Sequence, residues 1–200
     1  MILVNNSLAR DILRHSDSPV AKGIVFPSFI LLSVHLTHRN ERELLTQLGH
    51  LVSQVQALRM DEQKPIILAG DFNTGFGTVI PGICGEYCGH TSNGYEEVLR
   101  FIIDHDLVVI NSFFPRAPSR SSFSGNSQTD LDWICASSNL PAKTIRCFYH
   151  DISSFTTTDH SAIAICFEFS QPRGFSRSSS HSQQQPIRFQ NLGCPAPRAC

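Results

Sequence analysis

An α/β fold of the α+β kind, a mixed sheet packed with helices, follows from the order in which helical and strand-like segments occur along this chain. Two amphipathic helical stretches fall in the first half, and four short strand-like segments crowd the second. Strands so closely spaced connect as antiparallel neighbours rather than through long crossovers. The apolar run Pro65-Ile66-Ile67-Leu68-Ala69 supplies a central strand, and it stops in Gly70-Asp71-Phe72-Asn73. A strand ending in Asp-x-Asn sets a carboxylate and a carboxamide at the C-terminal edge of a sheet, where open α/β proteins bind ligands.

Taken in order, Ile2-Leu3-Val4 reads as a strand already under way, and Ser16-Asp17-Ser18-Pro19 as a turn or loop. Residues 29–36 form an apolar, β-compatible run ending in His35-Leu36-Thr37-His38. Asn40 and Glu43 have the spacing of a helix N-cap and its reciprocal acid, and Leu44, Leu45, Leu48, Leu51, Val52, Val55 and Leu58 then recur at helical intervals. Asn93 and Glu96 repeat the cap spacing before a second stripe, Val98, Leu99, Ile102 and Ile103, which leads into the short strand Leu107-Val108-Val109-Ile110-Asn111. Residues 121–124, 131–136, 144–149 and 161–169 have strand composition, separated by Gly, Asn, Pro and Ser.

The 200 residues, 41% of them hydrophobic, can bury one substantial core, so one domain over residues 1–170 is expected. Residues 171–200 are rich in Arg, Ser and Gln with too few apolar side chains to offset ordering entropy, and a disordered tail is expected there. That tail carries Arg173, Arg177, Arg188 and Arg198 and no acid, so the overall charge of −1 leaves the body near −5. The body therefore lacks the basic balance of a tight polyanion-binding domain, unless a divalent cation offsets it locally. No run approaches ~18 apolar residues, and Met1-Ile2-Leu3-Val4-Asn5 lacks the start of a secretory signal. Of the seven cysteines only Cys84 and Cys88 are closely spaced, and no second pair completes a zinc site. Small buried thiols at Cys135, Cys147 and Cys166, in a reducing intracellular compartment, nuclear or cytoplasmic, are the expectation.

Four segments carry candidate chemistry. Asp71 and Asn73 share a side if the strand continues, and could meet one phosphate or one water; Gly, Asp and Asn equally suit a plain turn. Asp159-His160 sets an acid and an imidazole before an apolar strand, and His is the side chain most easily poised as a proton donor near neutral pH. Asp130 and Asp132 alternate in Thr129-Asp130-Leu131-Asp132-Trp133-Ile134, either to orient a catalytic His or to face solvent on an edge strand. His35 stands near the end of a predicted strand, where a hydrogen-bonded structural role is the plainer reading.

In this order, Ser33-Val34-His35-Leu36, Gly70-Asp71-Phe72-Asn73, Asp130-Leu131-Asp132-Trp133-Ile134 and Thr158-Asp159-His160 resemble the endonuclease/exonuclease/phosphatase superfamily. With Ser122-Phe123-Ser124 ahead of Asp132-Trp133-Ile134, the look is nearest to the endonuclease domains of non-LTR retrotransposons. The resemblance implies a four-layer α/β/β/α sandwich of DNase I-like type and a phosphodiesterase using Mg²⁺ or Mn²⁺, with DNA as substrate, no membrane, no defined protein partner and a monomeric state. By the same resemblance Asp71 would position or deprotonate water and contribute to metal binding, and Asn73 and Ser122 would contact substrate. Asp159 would bind metal, His160 would stabilise charge on the phosphoryl group, Asp132 would orient His160, and His35 would assist the leaving group. Such a set is physically coherent, because a carboxylate-bound cation neutralises phosphate oxygens while His and Asn donate to the developing charge.

Members of that superfamily carry an Asn-bearing strand and a Glu-bearing metal-binding strand upstream of the part matching Ile2-Leu3-Val4. Neither has a counterpart here, since Glu41, Glu43 and Glu62 fall in or beside the first helix. The expectation is thus a domain lacking its first strands, with weakened metal affinity and exposed apolar edges. Two other readings stand beside the nuclease: a lipid or inositol-phosphate phosphodiesterase of the same fold, and a catalytically dead remnant or binding module.

Overall fold

A computed structural model of the protein describes residues 6–37, 39–59, 64–115, 120–121, 128–150 and 160–169. The expected strand at Ile2-Leu3-Val4 and the expected tail at residues 171–200 lie outside them. At the centre is a six-stranded sheet in the order β1-β2-β3-β4-β8-β5. Its strands are β1 (Arg14–Asp17), β2 (Ala21–Val25), β3 (Ile30–His35), β4 (Ile66–Asp71), β5 (Leu107–Val109) and β8 (Asp132–Ser137). The first three form an antiparallel meander, β3 and β4 run parallel, and β8 lies antiparallel between β4 and β5. The sheet is mixed, as the spacing of its segments requires. A short helix, α1 (Asn6–Ala9), precedes it, and β6 (Arg120–Ser121) pairs separately with β7 (Gln128–Thr129).

The crossover from β3 to β4 is α2 (Glu41–Arg59). Its start matches expectation in part: the Asn40 side chain accepts the Glu43 N–H at 3.0 Å, but the Glu43 carboxylate reaches past Asn40 to the Arg39 N–H at 2.9 Å. Leu44, Leu48, Leu51, Val55 and Leu58 are buried against Ile30, Leu32, Val34, Ile66 and Leu68, while Leu45 of the expected stripe is exposed. Gln54 joins the buried face and binds Ser18 Oγ and the Ala21 carbonyl, locking α2 to the β1–β2 turn. A Cβ at Gly23 would stand 2.6 Å from Leu58 Cδ1, so a larger residue there would have to push that side chain aside.

Three expectations are corrected. Ser16 and Asp17 belong to β1, and only Ser18-Pro19 turn; β1 has no apolar residue, so no alternation marked it as a strand. The cap of α3 (Tyr95–Asp104) is Gly94 at φ 80° with no side-chain bond, and Asn93 does not cap. Phe101, not Ile103, completes its buried face with Val98 and Ile102. Of the thiols, Cys135, Cys84 and Cys88 are fully buried, while Cys147 and Cys166 are half-buried. Burial, and then neighbouring Cys88, push the Cys84 thiol up to about 12, and burial raises Cys135 well above its ordinary value. No described helix is long and apolar enough to cross a membrane.

Both helices of the core pack on one face of the sheet. On the other, register aligns Leu31/Ile67/Ala136, then Ser33/Ala69/Ile134, then His35/Asp71/Asp132 in three rows across β3, β4 and β8. A second sheet of two antiparallel strands, β9 (Ala142–His150) and β10 (Ala162–Phe169), is tied to the first at both ends. Phe169 stacks on Phe29 just ahead of β3, and His160 meets Asp132 at the start of β8.

Candidate active site

The site grows from the end of β4. Gly70 has φ 152°, and any Cβ there would lie 1.9 Å from the Val34 carbonyl oxygen, so only glycine lets β4 approach β3 this closely just before Asp71. The Leu36 N–H donates to the Asp71 carbonyl at 2.9 Å, and the buried Phe72 donates to Leu131 O, which holds the strand end between its neighbours. The strand stops at Asp71. Asn73 turns into the left-handed region at φ 49°, which Asn tolerates better than most residues.

That turn alters the expected pairing of Asp71 with Asn73. They meet through an Asx turn rather than strand alternation: the Asn73 N–H donates to Asp71 Oδ1 at 2.8 Å. The Asn73 amide NH₂ donates to the Leu36 carbonyl and stands 3.3 Å from Asp71 Oδ2. Both of its hydrogens are thereby directed at the protein, so Asn73 fixes the carboxylate and the β3 end.

His160 is placed by Asp132. Its Nδ1–H donates to Asp132 Oδ2 at 2.7 Å, and its Nε2 lies 3.9 Å from Asp71 Oδ2. The three side chains are between 18% and 26% exposed, partly dry but reachable. Asp132 is held in turn by Asn111, a fully buried residue of the 3₁₀ turn Ile110–Phe113. The Asn111 amide donates to the Asp132 carbonyl at 3.1 Å and accepts the Ile134 N–H at 2.9 Å, extending the β5–β8 pairing beyond the last residue of β5. Nothing in the sequence marked Asn111 beyond its place at the end of an apolar run.

His35 occupies the same row as Asp71 and Asp132, exposed, and its ring forms no hydrogen bond among the described residues. The structure separates Asp130 from Asp132, since β8 begins only at Asp132. Asp130 is buried beneath Gly89, whose added Cβ would lie 2.5 Å from its carboxylate. Asp159, Ser122 and His38 lie outside the described residues.

Asp71, Asp132 and His160 present donor atoms within 4.8 Å of one another, and no other group of three such residues does so among the described residues. Asp132 Oδ2 is already committed to the imidazole, so the arrangement is an Asp–His pair facing a second carboxylate. Its carboxylate oxygens suit a hard cation such as Mg²⁺ or Mn²⁺ better than a thiophilic one.

The architecture has counterparts among solved structures. A mannosyl-6-phosphatase of Bacteroides thetaiotaomicron superposes with a TM-score of 0.54 at 14% identity, over 80% of this chain and 67% of that one. The 3′ phosphatase NExo of Neisseria, solved with a product DNA hairpin, gives 0.55 at 13% identity over 82% and 68%. An endonuclease/exonuclease/phosphatase family protein of Bacteroides thetaiotaomicron gives 0.53 at 14% over 81% and 67%. The fold is that of the endonuclease/exonuclease/phosphatase proteins. It is a DNase I-like α/β fold, of which the described residues supply one helical layer and two sheets. No protein-family model and no curated protein matches the sequence.

Proposed function

We propose that this chain descends from, and acts as, a divalent-cation-dependent phosphoesterase that cleaves nucleic-acid phosphodiesters. The observation that carries the reading is the line Asp132–His160–Asp71, in which a buried-side carboxylate orients an imidazole toward a second carboxylate. An oxygen about 2.8 Å from each of two partners fits across a 3.9 Å gap, so a water or a phosphoryl oxygen can sit between Nε2 and Asp71. In that position Asp71 takes the proton of the attacking water as its oxygen bonds to phosphorus. His160, its ring held through Nδ1 by Asp132, would turn its Nε2 toward the charge gathering on the phosphoryl oxygens. As the ester P–O bond breaks, His35, in register with Asp71, would protonate the departing alkoxide.

Asp71, together with Asp159 by resemblance, would hold a Mg²⁺ or Mn²⁺, which neutralises phosphate charge and lowers the pKa of water. Two similar structures are named as phosphatases, which favours phosphomonoesters as a second reading. Incubation with supercoiled plasmid, a 3′-phosphorylated oligonucleotide and sphingomyelin, each with Mg²⁺, separates the classes. Nicked plasmid with the other two untouched is the expected outcome; phosphate release alone assigns a phosphatase, and hydrolysis of the lipid alone assigns a lipid phosphodiesterase.

A further inference from the structure

His160 reaches the candidate site at the head of a two-stranded ribbon that burial alone does not hold. Every residue of β10 is half-buried or exposed, and β9 is its only paired neighbour among the described strands. A two-stranded sheet is marginal by itself. Specific contacts with the first sheet therefore carry more of the ribbon's placement than they would for a fully buried strand.

One such contact stands at the end of the ribbon nearest the site. The Tyr149 hydroxyl of β9 donates to the Asn111 carbonyl at 3.3 Å, and Asn111 is the residue that also holds Asp132. Asn111 is fully buried, and its side chain donates to the Asp132 carbonyl at 3.1 Å while accepting the Ile134 N–H at 2.9 Å. Asp132 and the ribbon are thus both fastened to Asn111, one through its side-chain amide and the other through its backbone carbonyl. Register completes the connection. Tyr149 lies opposite Ile163, three residues after His160, or about 10 Å along an extended chain.

We propose that Tyr149 is a positioning residue, whose hydroxyl on the Asn111 carbonyl sets the ribbon so that the His160 ring meets Asp132 at 2.7 Å. Its effect on rate rests on the hydrolase reading; its effect on the Asp132–His160 bond does not. Tyr149 acts through Asn111 and the strand pairing, and the His160 ring is what feels the change. Loss of the hydroxyl lets the end of the ribbon shift against β8, which lengthens the bond to Asp132 and turns Nε2 away from Asp71. The bond from Tyr149 is long for O–H···O, so a few-fold effect is expected rather than the larger loss of a reacting group.

The test reads the His160 Nδ1–H proton by NMR at one pH and without metal, assigned by its loss in His160→Gln. The chains compared are the unaltered one, Tyr149→Phe and Asn40→Ala. Tyr149→Phe keeps the ring and removes the hydroxyl, whereas Asn40→Ala weakens the fold elsewhere, through the cap of α2. A small aryl phosphodiester with Mg²⁺ gives kcat and KM for the same chains. In Tyr149→Phe the resonance should move or broaden, and kcat should fall about threefold to tenfold with KM within about twofold. Neither should change in Asn40→Ala. An unmoved resonance in Tyr149→Phe, an equal movement in Asn40→Ala, or no such resonance in the unaltered chain overturns the inference, and so does an unchanged kcat in a chain that cleaves the diester. A resonance that moves in Tyr149→Phe alone, with no substrate cleaved by any chain, leaves the positioning role standing and removes the hydrolase reading instead.

Discussion

At the scale of single residues, a few side chains of the site are held by specific hydrogen bonds. His160 is oriented by one bond of 2.7 Å from Asp132, and Asp132 Oδ2 has the imidazole as its partner. Asp132→Asn keeps the shape but removes the carboxylate that orients the His160 ring. Its kcat should fall about 10²-fold or more while KM stays within a few-fold, as read in steady-state kinetics on a small diester. Asn111 acts a step further back, through the backbone of Asp132. Asn111→Ala removes the side-chain partner of the Ile134 N–H and of the Asp132 carbonyl in a partly buried setting, so it should cost about 1–3 kcal/mol in urea unfolding and lower kcat as well. The sequence exposed Asp71, Asp132 and His160 because acids and imidazoles interrupting apolar strands are conspicuous. It hid Asn111, whose role exists only once the end of β5 lies alongside β8.

At the scale of elements, legibility followed the period of the side chains. Helix α2 was readable because five leucines and valines repeat on one face and Asn40 caps it by a bond of 3.0 Å. Replacing Asn40 with Ala should lower stability by about 1 kcal/mol, whereas Leu51→Ala should cost about 2–5 kcal/mol, because Leu51 is fully buried; chemical denaturation measures both. Strand β1 was not readable, since Arg14, His15, Ser16 and Asp17 offer no apolar alternation and only pairing with β2 makes them a strand. The cap of α3 misled for a different reason. Asn93 had the right spacing, but a left-handed Gly94 starts the helix one residue later. The strand containing Asp71 was legible, yet the bend at Asn73 was not, and the bend decides that Asn73 serves the carboxylate beside it.

At the scale of the whole molecule, the two sheets meet at the row His35, Asp71 and Asp132, and His160 reaches that row from the second sheet. The candidate site therefore lies at one of the two places where the sheets are tied together. Sequence order alone proposed that the segments converge, but which row they share is set by register between strands far apart in the chain. Burial across the same core also sets a pH limit. Cys84 has its thiol raised from 9.0 to about 12, so the folded state prefers the protonated form more than the unfolded chain does. The resulting stability is complete below pH 9 and is lost as pH rises from 9 toward 12. Urea midpoints should decline over that window, and the decline should be shallower in Cys84→Ala than in the unaltered chain; equal slopes would exclude the buried thiol as the cause. The claim at the centre of this molecular picture is that Asp71 and the Asp132–His160 pair form a single hydrolytic centre, and nicking of supercoiled plasmid with Mg²⁺ by the unaltered chain and by Asp71→Ala tests it most directly. Nicking that stops on chelation and falls at least about 10²-fold in Asp71→Ala is the result expected, and equal nicking by the two chains, or none by the unaltered one, contradicts it.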